Sequence, residues 1–327
     1  MLRHLLLPLV VTAALVLGAC GQPPTTQNPT ASTGQTARQP LSIVASTSIV
    51  GDVVRQVGGE LVTVSTLVPI GSDAHSFAPS PQDIARVTTA QVVFVSGVGY
   101  EAFLTSLLAS AGGQAEVVEL SQDVPLRELA AGEAHTEDAG QPTSPAHAGE
   151  LGTHDPHTWT DPANVKYWTT AIVATLGRLD AANAPLYQAN ATRYNAQLDE
   201  LATWIGTQFA QVPTAQRLLV TDHALFGYLA DRYGLKQVGT LLPGYSSSAE
   251  ASAQDLAALQ TQIKALGVKA IFVGNVVNAN LARQIANDTG TKLVTVLTES
   301  LTPAGGDGAT YLDYMRHNVT VMVAALR

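Results

Sequence analysis

From residue 41 onward, short β-rich runs alternate with longer helical patterns, and this alternation constrains the chain more than any other feature. LSIVAST (41–47) reads as a strand and SIVGDVVRQVGG as a helix with a glycine stop. LVTVSTLVP is the next strand, and PSPQDIARVTTA is a helix with proline in its first turn. QVVFVSG, YEAFLTSLLASAG and AEVVEL continue the pattern as strand, helix and strand. Strands that alternate with helices imply a parallel sheet with helices on its faces. The same rhythm returns late in the chain. RLLVTD, KQVGTLL, VKAIFVG and KLVTVLT read as strands; LFGYLADRYG, SAQDLAALQTQIKALG and NANLARQIANDTG read as helices between them, and TYLDYMRHNVTVMVAAL as a final helix. Ser252 is placed to cap the second of these helices.

Between the two α/β stretches, helical spacing dominates from Pro162 to about Gln211. Tyr187, Ala191, Tyr194, Leu198, Leu201 and Ile205 recur at alternating four- and three-residue steps, the stripe of a helix facing a core. A continuous helix over 182–208 would be about 40 Å long, enough to span a domain and link two lobes. The expected fold class is therefore α/β, with two lobes, each a mostly parallel sheet flanked by helices. The lobes fall at roughly 41–180 and 210–327, with one long connecting helix over 181–209. No close internal sequence repeat relates them.

Two segments stand outside the rhythm. Residues 126–156 are rich in Gly, Ala and Pro and carry Glu128, Glu133, Glu137, Asp138 and Glu150 with His135, His147 and His154. The N-terminus has Arg3 and His4 before an apolar run, Leu5–Leu17, which has the length of a signal-peptide core and is short for a membrane span. The run ends in Leu17-Gly18-Ala19-Cys20, the pattern of a bacterial lipobox, in which the Cys20 thiol is diacylated after cleavage. Residues 1–19 are then a signal peptide. Residues 20–40, dominated by Pro, Thr, Gln, Gly and Ser with Arg38 as the one charge, form a tether. The mature protein is expected at the outer face of a cytoplasmic membrane, held by lipid, or in a periplasm.

Composition narrows the function. Only 13 % of the 327 residues are charged, and the 17 Lys+Arg against 26 Asp+Glu leave a net charge of -9, which disfavours nucleic-acid binding. The single cysteine excludes a disulfide framework or a cysteine-rich metal cluster. No zinc-protease helix, phosphate loop or nucleophile elbow is present.

In open α/β sheets, ligands bind beyond the carboxyl ends of the strands. Four polar residues fall at such places: His75 in PIGSDAHSF, His157 in HDPHTWTDP, His223 after RLLVTD and Glu299 after KLVTVLT. Two come from each half, so facing lobes would bring them together. Three imidazoles and a carboxylate suit a borderline divalent cation such as Zn2+; a second carboxylate in place of an imidazole would point more to Mn2+. Four protein ligands close the shell, as in a non-catalytic site. Each residue also has a plainer reading: His75 as a loop residue bonded to Asp73, His223 as a helix cap, Glu299 as a solvated terminal charge, His157 stacked on Trp159. His135, His147 and His154 are open to a second, loose metal site or to metal delivery, and equally to a solvated loop. His317 reads as structural.

With these residues in hand, the chain resembles the zinc/manganese-type (cluster A-I) solute-binding lipoproteins of bacterial ABC transporters. LVPIGSDAHSFAPSPQDI resembles the family's first metal-histidine loop, with Ala74 where proline is common. DPHTWTDPANV resembles the second, and VTDHALFGYLADRYGL the third, where histidine is common in zinc members and glutamate in manganese members. LTESLTPAGGDGATYLDYMRHN resembles the fourth, with Glu299 where the family usually has aspartate. IFVGNVVNAN departs from the usual IFVE. The resemblance implies two α/β lobes around a rigid helix and a metal in the cleft, held by His75, His157, His223 and Glu299. It also implies a monomeric, non-enzymatic receptor that delivers zinc, or alternatively manganese or iron (Fe2+), to a membrane permease. A His/acid-rich insert before the second motif is typical of zinc members. A metallohydrolase and an adhesin-type lipoprotein of the same fold are the rival classes. Binding is expected to weaken below about pH 6, as protons compete for imidazoles near their ordinary pKa of about 6.5.

Overall fold

The computed structural model describes residues 39–128 and 154–327. Cys20, His135, His147 and His4 lie outside the described residues, as do the signal peptide, most of the tether and most of the insert. The compact unit runs from Gln39 to Arg327.

The first sheet contains β1 (Leu41–Ala45), β2 (Val62–Thr66), β3 (Val92–Val95) and β4 (Val117–Glu119), in the order β2-β1-β3-β4. The second contains β5 (Leu218–Thr221), β6 (Lys236–Thr240), β7 (Ala270–Gly274) and β8 (Lys292–Val296), in the order β6-β5-β7-β8. Every pairing in both sheets is parallel, and the two orders are the same. The two halves thus repeat a topology that no sequence repeat announces. All four residues of β3 and all five of β7 are buried, as expected of strands covered on both faces.

The helices begin where the local chemistry directs. In α1 (Ser48–Gly58) the Thr47 hydroxyl accepts the Val50 N–H. In α2 (Pro81–Thr89) Ser80 and Asp83 form a reciprocal capping box ahead of Pro81. Asp161 caps α4 (Pro162–Leu179), Ser252 caps α7 (Ala253–Leu266) as its sequence position predicts, and Thr310 caps α9 (Tyr311–Leu326). The helices α6 (Gly227–Tyr233), α7 and α8 (Asn280–Thr289) all end on a left-handed glycine.

One helix starts later than its spacing suggests. α3 covers only Leu104–Ser110, because Gly97, Val98 and Gly99 all take positive φ (89°, 58° and 74°). The buried Glu101 carboxylate then folds back to accept the N–H groups of Ser96 and Gly97 and the Ser46 hydroxyl. The backbone of 96–101 is committed to this turn and cannot extend the helix.

The connector is α5 (Ala184–Phe209), 26 residues and about 39 Å long. A short 3-10 turn at Ala181–Asn183 separates it from α4. Tyr187, Ala191, Tyr194, Leu198, Leu201 and Ile205 are all buried, with Phe209 continuing the stripe. They pack on α1 and α4 of the first lobe and on α9 of the second. One hydrophobic core runs through both lobes by way of α5 and α9; a smaller core lies between the second sheet and α7 and α8. Among the described residues, no helix is long and apolar enough to cross a membrane.

The lobes are also bonded directly. Ser48, at the start of α1, accepts the Leu301 N–H at 2.9 Å, and Ser300 accepts the Gly71 N–H at 2.8 Å. The buried Asp52 carboxylate accepts the first N–H of α9, from Tyr311, at 2.9 Å. These bonds fix the first lobe's His75 loop against the second lobe's Glu299 loop.

Candidate metal centre

Each candidate ligand leaves a sheet or its following loop at the end that faces the other lobe. His75 follows β2, His157 heads a 3-10 turn after β4, His223 follows β5 and Glu299 follows β8. The structure brings all four together: one ligand atom from each lies within 4.8 Å of the others. His157, His223 and Glu299 are buried and the His75 side chain is only 9 % exposed.

The imidazoles are aimed rather than merely near. Asp155 accepts both the backbone N–H of His157, at 3.0 Å, and its ring Nδ1, at 2.9 Å. Asp222 does the same for His223, at 2.7 and 2.8 Å, while its other oxygen accepts the Gly274 N–H. With Nδ1 engaged, each ring presents Nε2 to the centre. Asp73 accepts the His75 N–H at 2.8 Å and the Ser247 hydroxyl from the second lobe. Tyr100 packs edge-on to His75 at 5.1 Å, and Trp159 edge-on to His157 at 5.3 Å.

The Nε2 atoms of His75, His157 and His223 and both carboxylate oxygens of Glu299 are screened from solvent, and none makes a well-formed hydrogen bond. Such atoms are costly to bury unless a partner binds them. Glu299 Oε1 lies 3.2 Å from His75 Nε2 and 3.3 Å from His223 Nε2. A tetrahedral zinc with bonds of about 2.0–2.1 Å has ligand–ligand edges of roughly 3.3–3.4 Å.

Electrostatics sharpen this arrangement. Burial pushes the Glu299 carboxyl up, but His223 and His75 beside it reverse that and hold it well below the usual carboxylate range. Burial pushes the His157 imidazole down, against the pull of Asp155. Burial also disfavours charge on His223, yet Asp222 and Glu299 outweigh it and push the imidazole up to about 10. Asp73 is raised to about 6 by burial and by the Glu299 carboxylate. At neutral pH the centre therefore holds an anionic Glu299 facing a cationic His223 and a neutral His157.

The plainer readings divide. His75 does bond to Asp73 and His157 does contact Trp159, but in ways that orient rather than occupy Nε2. His223 caps no helix: α6 starts after Phe226 without a side-chain cap. Glu299 is 1 % exposed and is no solvated terminus. His154 stays out of the centre, in an isolated antiparallel bridge with Glu128 at the base of the insert. His317 on α9 faces Asp307 at 3.7 Å.

Sequence reasoning missed the orienting role of Asp155 and Asp222. Their signal was visible: each of the three histidines follows an aspartate by one or two positions, as Asp73-Ala74-His75, Asp155-Pro156-His157 and Asp222-His223.

The chain is similar to known proteins along most of its length. The family profile described as "ZnuA: Zinc-uptake complex component A periplasmic" matches residues 43–325. The manganese-binding lipoprotein MntA of Halalkalibacterium halodurans is 30 % identical over 318 residues, covering 97 % of this chain and 96 % of that protein. Among solved structures, the periplasmic zinc-binding protein TroA from Treponema pallidum is similar with a TM-score of 0.77 at 24 % identity, over 88 % of this chain and 99 % of that one. The manganese-bound periplasmic metal-binding protein from Candidatus Liberibacter asiaticus is similar with a TM-score of 0.74 at 23 % identity, over 88 % of this chain and all of that one.

Proposed function

The chain belongs to the ZnuA family of periplasmic zinc-uptake components, and on that premise we propose that it is an extracytoplasmic receptor that binds a divalent transition metal and hands it to an ABC permease. His75, His157 and His223 bind through Nε2 and Glu299 through its carboxylate. The observation that carries this reading is the convergence of three buried Nε2 atoms and a buried carboxylate, none with a well-formed hydrogen bond, within 4.8 Å of one another. The relative named as a manganese-binding lipoprotein favours carriage of the ion over hydrolysis.

Zinc is the first reading, because three imidazoles and one carboxylate suit it best. Manganese is the second, favoured by the 30 % identical relative named as manganese-binding. In vitro affinity ranks these ions by their chemistry, with zinc above manganese at most such sites. The deciding measurement is growth of a deletion strain under zinc starvation and under manganese starvation, with metal analysis of the purified protein. Calorimetry tests the site itself: His157→Ala and His223→Ala should each lose most metal affinity, and wild-type affinity in both would overturn the assignment.

The domain division proposed is residues 1–19 as signal peptide, 20–40 as lipidated tether, 41–180 and 210–327 as lobes and 181–209 as connector. Lipid attachment at Cys20 is supported by the LGAC pattern and by the relative's naming as a lipoprotein. A tether raises the receptor's local concentration at its permease without tight binding between them. Cys20→Ala should move the protein from the membrane fraction to the soluble one. The second-metal or delivery role for His135, His147 and His154 stays a proposal, for which the position of His154 outside the centre offers no added support.

A further inference from the structure

The base of the acidic insert is where the first lobe grips the second beside His157. Arg127 and Asp155 lie at the two ends of the insert, and the Asp155 N–H donates to the Arg127 carbonyl at 3.0 Å. Both press on α6 of the second lobe. The Tyr228 hydroxyl accepts the Arg127 N–H at 3.0 Å and donates to the Asp155 carbonyl at 2.9 Å. The Arg127 guanidinium donates through Nε to Asp231 at 2.8 Å, and its Nη1 lies 3.7 Å from Asp155 Oδ2. The Asp155 side chain is fully buried and the Arg127 side chain is 12 % exposed. α6 approaches so closely that a Cβ on Gly227 would stand 2.4 Å from Asp155 Oδ2 and 2.7 Å from Arg127 Nη1.

One oxygen of Asp155 is spent on His157, and the guanidinium faces the other. Arg127 thus lies between Asp155, which accepts from His157 Nδ1, and Asp231 of the opposite lobe, and ties that acceptor to α6. We propose that Arg127 is a positioning residue for the metal centre: through Asp155 it fixes the direction of His157 Nε2, and it makes that direction depend on α6 of the second lobe. This rests on the reading of His157 as a metal ligand.

The test uses the full chain. Arg127→Met removes the charge and keeps the aliphatic bulk; Arg127→Lys keeps the charge without the fork; Gly227→Ala pushes on the same pair from α6 with no charge removed. Zinc affinity by competition with a chelator, and the ring nitrogen resonances of His157 by 15N NMR, are read together. Arg127→Met should bind about tenfold more weakly or worse, with the Nδ1 resonance of His157 shifted, while Arg127→Lys recovers most of the affinity. Gly227→Ala should reproduce both the weakening and the shift, and it carries the test alone if Arg127→Met fails to fold. Wild-type affinity and an unmoved His157 resonance in folded Arg127→Met, or in Gly227→Ala, would overturn the inference. His157→Ala separates the two levels: if it too binds normally, the ligand assignment fails, and if it alone loses zinc, only the role of Arg127 does.

Discussion

At the scale of single residues, the proposed centre sets three histidines, each bonded to a neighbouring aspartate, around Glu299. The proton on His223 makes this measurable. Its imidazole, raised to about 10 by Asp222 and Glu299 against burial, is protonated in the metal-free protein at pH 7. A metal can bind Nε2 only after that proton leaves. Uptake at pH 7–8 should therefore release about one proton per metal, and apparent affinity should climb by up to about a decade per pH unit toward pH 10. Calorimetry in buffers of different protonation enthalpy measures the release directly. The sequence alone pointed to weakening only below about pH 6, since an unperturbed imidazole was all it offered. In the metal-free protein the same raised pKa is a stability contribution fully present below the unfolded value of about 6.5 and lost as pH rises through about 10. Urea unfolding of metal-free protein at pH 7 and pH 10 should show that loss. Asp222→Ala removes the orienting acceptor and leaves the Gly274 N–H buried without a partner. It should cost about 10–100-fold in metal affinity and about 1–3 kcal/mol in stability.

At the scale of elements, most of the architecture was legible because each helix and strand announces its ends locally. Ser80 with Asp83, Ser252 and Thr310 are polar caps at the starts of periodic runs, and Gly234, Gly267 and Gly290 close others. Ser80→Ala should therefore cost about 1 kcal/mol by chemical denaturation, since it removes the hydroxyl half of a capping box. What periodicity could not reveal is contact set by distant residues. The late start of α3 depends on Glu101 reaching back to Ser46, 55 positions earlier. The departure at Gly274 has a similar cause. It ends β7 where a Cβ would stand 2.6 Å from Thr298 Oγ1 and 3.0 Å from Asp222 Oδ2. Glycine there lets the backbone N–H reach the carboxylate that orients His223. Gly274→Ala should overpack this point, costing about 1–3 kcal/mol and lowering metal affinity through Asp222, read by thermal melting and chelator competition on one sample.

At the scale of the whole molecule, a metal at the proposed centre would join parts of the chain that hydrogen bonds and α5 only bring into register. Residues 75 and 157 belong to one sheet's loops and 223 and 299 to the other's, so the proposed ligand set is complete only when both lobes are folded and docked. That the four share one centre was foreseeable from their common position past strand ends; the buried interlobe bonds of Ser48, Ser300 and Asp52 were not, because nothing in a serine or aspartate codon position names a partner some 250 residues away. A ligand that binds the folded state alone stabilises it by about 2.7 kcal/mol at a hundredfold excess over its dissociation constant. For a chain of this size that corresponds to a rise in melting temperature of roughly 4 °C. The rise should appear on adding zinc or manganese, vanish on chelation, and be lost in His157→Ala and in His223→Ala alike, although these residues come from different lobes. A variant that keeps the full rise with either histidine removed would show that one lobe alone holds the ion, and the interlobe centre would have to be abandoned.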